Sequence, residues 1–460
     1  MLRRNLSEIA EWIDGELIDQ GQAELQVNGI STDTRHIKPE SLFIPIIGER
    51  FNAHKFVQEA VDQGAVASLW AKDQPNPPAG INLVFVDDTL IALQNLATAY
   101  LRSLNAKIIG ITGSNGKTTT KDMMASVLST TYKVQKTEGN FNNHIGMPLT
   151  ILTLDEDTEM IVLEMGMSGF GEIELLSTIA EPDAAIITNI GESHLQDLGS
   201  RDNISKAKLE ITSGMASGGT LVINGDEPLL TKKADSDRYR VITFGESEHC
   251  EFTAKEIVQE LNQTSFLING DTSKPYSISV PGKHNVMNAL AVIAVANSFG
   301  IEEQAIQQGL KQIKMTGMRL EHVETENGLT IINDAYNASP TSMKAAVSLV
   351  EDLKGYAKKY VVLGDMLELG DDEINFHTLA GEAIDPLKIN GVFTYGNLAM
   401  HINKGARRVF SEEQARHFES KEALISHLKA ITEPEDLLLV KGSRGMKLEE
   451  VVEALRQESN

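Results

Sequence analysis

Gly113, Ser114, Asn115, Gly116, Lys117, Thr118 and Thr119 form a run whose residue types suit one chemistry, the holding of a polyphosphate. Residues 110–119 read Gly-Ile-Thr-Gly-Ser-Asn-Gly-Lys-Thr-Thr. Gly113 and Gly116 let backbone N–H groups close on a phosphate with no Cβ in the way. Lys117 is placed to reach terminal phosphates, and the Thr118 hydroxyl suits magnesium. The strict phosphate-loop spacing asks for a glycine where Ile111 stands; Gly110 and Gly113 supply the turn instead. Glycine-rich turns also serve packing alone, but Gly-Lys-Thr after an apolar strand favours phosphate.

Other polar residues stand where strands end. Glu164 follows Ile161-Val162-Leu163, so its carboxylate faces the same crevice as the loop, either as a magnesium ligand or as an exposed strand-end charge. His194 ends the run Thr188–His194, where a metal or catalytic role and a hydrogen-bonded structural role stand level. On a helix, Ile204, Lys208 and Ile211 share one face, while Lys206 faces Glu210 as a solvated pair. An inward Lys208 would lose its proton easily; the alternative is a lysine snorkelling to water. Asn142 and Asn143 lie in a dense polar turn, residues 140–148. Asn285 and Asn288 share a face near a helix start, where capping explains only one. Asp334, Tyr336 and Asn337 follow another strand, suiting sugar hydroxyls, a base edge or an Asx-type cap.

The elements that must position these residues alternate. Short apolar runs at Met160–Glu164, Ala184–Asn189, Thr220–Asn224 and Arg240–Phe244 each end near a polar residue or glycine, the signature of a helix-covered parallel sheet. Ligands of such sheets sit beyond the strands' carboxyl ends. The stretch 252–280 breaks the pattern and is expected to hold antiparallel strands. The alternation resumes with strands at Thr330–Asn333, Tyr360–Leu363, Val392–Tyr395, Arg408–Phe410 and Leu437–Val440. The expected fold is α/β in three domains. Residues 1–100 form a small amino-terminal α/β module, 101–315 a central P-loop-type parallel-sheet ATPase domain, and 316–460 a carboxyl-terminal Rossmann-like α/β domain.

Composition sets the outer limits. A chain of 460 residues is too long for one ordinary core. Its formal net charge of −24 argues against a nucleic-acid partner, which needs basic surface. One cysteine allows no intrachain disulfide, and no apolar signal segment or membrane-length run is evident. A cytoplasmic protein is the expectation.

Taken in order, the glycine loop, Glu164, Asn189 to His194, Ala207-Lys208, His284 to Asn288, Arg319 and Asp334 to Asn337 resemble the Mur ligase family of ATP-dependent amide-forming enzymes. Ser31 to Arg35, Leu42 to Pro45, Val362 to Gly370 and Lys441 to Gly445 resemble the branch that adds D-alanyl-D-alanine to UDP-N-acetylmuramoyl-tripeptide. Asn52 and Ala53 depart from the usual Asp-Gly before His54, and Ser339 from the usual Asn. The resemblance implies ATP and magnesium. It implies that Lys117, Lys208 and His194 act in catalysis, that Thr118, Glu164, His194 and Lys208 hold metal, and that Lys208 carries a carbamate. Asn285, Arg319, Asp334 and Asn337 would join the loop residues in binding ATP. Ser31, Asp33 and Arg35, with Asn142 and Asn143, would hold the UDP-linked substrate. A monomer is implied. The alternatives are a folylpolyglutamate synthase-like ligase, against which the Ser31–Arg35 module speaks, and an inert ATP-binding scaffold, against which the intact lysines speak.

Overall fold

The computed structural model describes residues 1–18, 20–48 and 51–456, so Asp19, Glu49, Arg50 and the last four residues of the expected third domain lie outside the described residues. Its central feature is a nine-stranded sheet. In spatial order the strands run Pro275–Ile278, Thr264–Ile268, Phe252–Gln259, Arg240–Gly245, Thr220–Asn224, Ala184–Ile187, Lys107–Thr112, Met160–Glu164 and Val134–Lys136. The strands from Val134–Lys136 to Phe252–Gln259 pair parallel, and the last two join antiparallel, as the break in pattern predicts.

Strand alternation divides the sheet's side chains between two cores. Ile161 and Leu163 enter one with the helix Thr89–Ser103; Met160 and Val162 enter the other with Met123, Val127 and the helix Lys283–Ser298. That last helix is buried on nearly every side, which explains its run of alanine, valine and leucine. Register does the positioning. Glu164 sits opposite Ile111, and Ile187 opposite Thr112, so three strand ends come level beside the glycine loop.

The carboxyl-terminal sheet has six strands, in the order Glu321–Glu324, Thr330–Asp334, Leu437–Lys441, Lys359–Gly364, Gly391–Tyr395 and Ala415–Phe418. All pair parallel except Glu321–Glu324, which closes one edge antiparallel. Here one expectation fails. Arg408–Phe410 is a turn after the helix Ala399–Ala406, and the edge strand is Ala415–Phe418. Val409 is exposed, so its β-branched side chain advertises a strand that has no partner. A five-stranded sheet, Glu16–Leu17, Leu83–Val86, Ala67–Ala71, Leu42–Phe43 and Ile30–Ser31, organises the first hundred residues. No helix among the described residues is long and apolar enough to cross a membrane.

Candidate active site

A cavity of about 480 Å³ lies between the carboxyl ends of the central strands and the carboxyl-terminal sheet. The glycine loop forms one wall. Gly116 caps the helix Lys117–Leu128 with φ 81°, and a Cβ there would stand 2.7 Å from Asn288 Oδ1. Gly113 is tighter still, since its Cβ would meet Thr188 Oγ1 at 1.8 Å. Only glycine lets both the left-handed turn and these neighbours coexist. The result is a helix amino terminus whose N–H groups face the cavity, a ready seat for an anion.

Around that seat the chain gathers its charges. Lys117 Nζ donates to the Gly113 carbonyl at 2.8 Å. The Thr118 hydroxyl donates to Glu164 Oε2 at 2.7 Å, and Asn142 Nδ2 donates to Oε1 at 2.8 Å, so a carboxylate only 3% exposed is held from both sides. Asn143 Oδ1 accepts the N–H groups of Ile145 and Gly146 just ahead of the helix Gly146–Leu152, although it also lines the cavity. Lys208 is buried between Ile204 and Ile211 on the inward face of its helix. Lys206 pairs with Asp202 at 2.7 Å instead of Glu210, whose carboxylate accepts the Gly171 N–H. The reason is reach: Glu210 has turned into a following 3-10 segment.

Burial sets the protonation of this group. Desolvation lowers Lys117, with Arg319 adding to it and Glu164 opposing. Desolvation, then the Lys117 charge, pushes Lys208 well below the usual lysine range, leaving a neutral amine accessible. His194 is pushed down to about 4 by burial and by Lys117 and Lys208. Its Nδ1 lies 3.0 Å from Glu368 Oε2 but out of line for a hydrogen bond. Beside it Ser193 Oγ, Asn115 Nδ2 and Arg319 Nε are also buried without a hydrogen-bond partner. Polar atoms left open in this way are free to be completed by a ligand or by water. The carboxylate of Glu164 and hydroxyl of Thr118 are hard oxygen donors that fit magnesium; His194 and the unmodified Lys208 amine fit it less well.

The other wall comes from the carboxyl-terminal sheet. Asp334 and Lys441 are register partners on adjacent strands, joined at 2.6 Å, and Lys441 is 2% exposed. Lys441 also donates to the Asn337 carbonyl at 2.9 Å. Asn337 turns its own side chain to the Ala338 N–H, and Ser339 caps the helix Pro340–Asp352, so the capping role falls on Ser339. Ser339 reaches across to Asn115 at 2.9 Å, and Thr341 to Glu192 at 2.7 Å. Asn285 donates to the Pro281 carbonyl and accepts from Asn288, so neither asparagine is a conventional side-chain cap. His284 lines the same space, and burial lowers it to about 4.

Nearly every predicted site residue outside the first hundred therefore meets around one cavity. Ser31, Asp33 and Arg35 do not line it. They sit by the edge strand Ile30–Ser31, where Arg35 clasps Asp33 at 2.7 Å and the Ser31 hydroxyl donates to the Asp33 carbonyl. One contributor escaped sequence reasoning. Lys441 was visible as the first residue of the Lys441 to Gly445 stretch, a charge ending the apolar run Leu437–Val440, whereas Thr137, whose hydroxyl receives the Glu164 N–H, left no signal at all. Asp226, His249 and Cys250 form a separate cluster, but Asp226 is spent on the N–H groups of Glu246 and Ser247 and His249 lies 3.1 Å from the Gly225 carbonyl.

Comparison with known proteins gives a consistent result. Residues 111–296 match the Mur ligase middle domain, and 318–444 the Mur ligase glutamate ligase domain. The chain is 52% identical over 455 residues to the UDP-N-acetylmuramoyl-tripeptide–D-alanyl-D-alanine ligase of Bacillus subtilis, covering 99% of each. A crystal structure of MurF from Acinetobacter baumannii superposes with a TM-score of 0.90 at 29% identity, covering 100% of both chains. A MurF ligase of Thermotoga maritima in complex with ADP matches with a TM-score of 0.82 at 27% identity, covering 94% of this chain and 97% of the other.

Proposed function

We propose a reaction from one premise: this chain belongs to the Mur ligase family. It is an ATP-dependent ligase that joins D-alanyl-D-alanine to UDP-N-acetylmuramoyl-tripeptide, a step of peptidoglycan precursor synthesis carried out in the cytoplasm. The observation that carries this reading is the convergence of Lys117, Thr118, Glu164, His194 and Lys208 on one cavity faced by a helix amino terminus.

The triphosphate lies along the loop from Gly113 to Thr119, where backbone N–H groups neutralise it. Lys117 leaves the Gly113 carbonyl and takes the terminal phosphates. A terminal carboxylate of the tripeptide attacks the γ-phosphorus, and the bond to the β-phosphate oxygen breaks to release ADP. The amine of D-alanyl-D-alanine then attacks the acyl carbon, loses a proton, and expels phosphate. Little covalent chemistry falls to the protein, so alignment and charge neutralisation do most of the work. Thr118, Glu164 and His194 would hold magnesium, which would supply charge neutralisation at the phosphates. Lys208, neutral because it is buried, takes up carbon dioxide with loss of a proton and presents the resulting carbamate oxygen in place of an amine. Asn285, Arg319, Asp334 and Asn337 contact the nucleotide. The contacts of Ser339 with Asn115 and Thr341 with Glu192 hold the two walls together and keep water from the acyl phosphate.

Residues 1–100 bind the uridine end of the substrate through Ser31, Asp33 and Arg35, 101–315 bind ATP, and 316–460 bring the incoming dipeptide. One chain supplies the whole set, so a monomer suffices. The test is ADP release from the purified protein with UDP-linked tripeptides carrying lysine or diaminopimelate, with and without D-alanyl-D-alanine. The reading expects ADP and a pentapeptide mass only with both substrates present. ATP bound but no amide product under any pairing would contradict it.

A further inference from the structure

Asp122 lies within the helix Lys117–Leu128 and is fully buried. Burying a carboxylate is costly unless its oxygens are engaged. One oxygen, Oδ1, lies 2.6 Å from Lys136 Nζ on the edge strand Val134–Lys136 and 3.6 Å from Nζ of the buried Lys121, and these two lysines balance its charge locally. The other, Oδ2, accepts the N–H of Thr316 at 2.8 Å. That bond spans 194 residues of chain. It ties the phosphate-loop helix to the first part of the connector between the central and carboxyl-terminal sheets.

The connector is wound tightly. Met318 and Leu320 have φ of 60° and 48°, left-handed values that L side chains avoid. Between them, Arg319 enters the cavity with its guanidinium 4.1 Å over the Tyr336 ring. Strain of this kind persists only where the surroundings over-determine it. On the carboxyl-terminal side Asp334 accepts the Leu320 N–H and the Tyr336 N–H reaches the Met318 carbonyl, both at 3.3 Å. On the central side the connector is held at Thr316 by Asp122.

We propose that Asp122 is a positioning residue that sets where Arg319 enters the nucleotide cavity, by fixing the start of the connector to the helix that carries Lys117. Phosphate loop and arginine then keep one geometry across the joint between the two sheets. The inference rests on the ATP-ligase reading.

A double-mutant cycle tests it, reading kcat and KM for ATP together with melting temperature. Asp122→Asn cannot satisfy both Lys136 and Thr316. It is expected to lower kcat/KM for ATP about tenfold, the size of one hydrogen bond to a charged group. In an Arg319→Ala background the same change is expected to cost less than about twofold, because the residue it positions is gone. The melting temperature should fall equally in both backgrounds. An equal kinetic loss in both backgrounds, or no loss in the native one, overturns the proposal. Should Asp122→Asn fail to fold, Thr316→Pro deletes the N–H while leaving the Lys136 pair, and it decides by the same cycle. Native protein that releases no ADP with its substrates would defeat the ligase reading and this inference together, and that failure is visible before any variant is made.

Discussion

The cavity and the Ser31–Arg35 segment treat their polar groups in opposite ways. In the cavity, Asn115, His194 and Arg319 each keep a buried polar atom without a hydrogen bond, Lys208 is shut away from water, and desolvation also lowers the partly buried Lys117. In the segment, Arg35 is largely exposed yet already occupied by Asp33, which that hydrogen bond holds well below the usual carboxylate range. The contrast teaches where preorganisation matters. A transferring phosphoryl group needs fixed charges in a dry site, since reorganising dipoles during reaction would add to the barrier. In the proposed reading the segment binds a nucleotide-sugar handle that does not react, so its side chains can exchange partners as the ligand arrives.

The most severe way to break the comparison is at the loop. Lys117→Ala is expected to lower kcat on the order of 10³-fold while the protein keeps its melting temperature; activity like that of the native enzyme would refute the assigned role. Lys208→Ala comes next, with a loss of about 10²-fold. Native enzyme stripped of carbon dioxide and bicarbonate should lose activity in the same direction and regain it when bicarbonate returns. Indifference to carbon dioxide would remove the carbamate from the account.

Asn142→Ala removes one of the two groups holding Glu164 and should cost about tenfold in kcat/KM, or roughly 1.4 kcal/mol. Asp33→Ala sharpens the contrast from the other side. It should raise the KM for the UDP-linked tripeptide about twofold to fivefold, as expected of a solvated contact, and leave the KM for ATP unchanged. A shift in the ATP value would mean that the two regions are not independent.

Protonation gives the mildest test. Burial first, with Lys441 adding and Asp334 opposing, lowers His284 to about 4, below the ordinary value of 6.5. Between these values the unfolded chain binds the proton and the folded chain does not, so stability falls as pH drops from 6.5 towards 4. Thermal melts across that window should show the loss, with a shallower slope in His284→Gln. An unchanged slope would show that His284 is not the group responsible.

How much of this was legible in the sequence follows from what each residue depends on. The loop, Glu164 and the inward face of Lys208 were readable because each lies next to a short apolar run whose period fixes its direction. The central strands were readable for the same reason, being buried on both faces. Edges were not. Ala415–Phe418 and Glu321–Glu324 carry arginine, histidine and glutamate, because an edge strand meets water on one side and hides its period. Asp122 and Thr137 depend on chain that returns from far along the sequence, and no local pattern announces such partners.

The central claim is that a peptide carboxylate attacks the γ-phosphorus of ATP in this cavity. Tripeptide substrate with ¹⁸O in its reacting carboxylate, turned over with ATP and D-alanyl-D-alanine, tests that directly by mass spectrometry of the released phosphate. The account predicts phosphate bearing one labelled oxygen, with ADP as the other product and no label transfer in Lys117→Ala. Unlabelled phosphate, or label recovered in AMP, would contradict it.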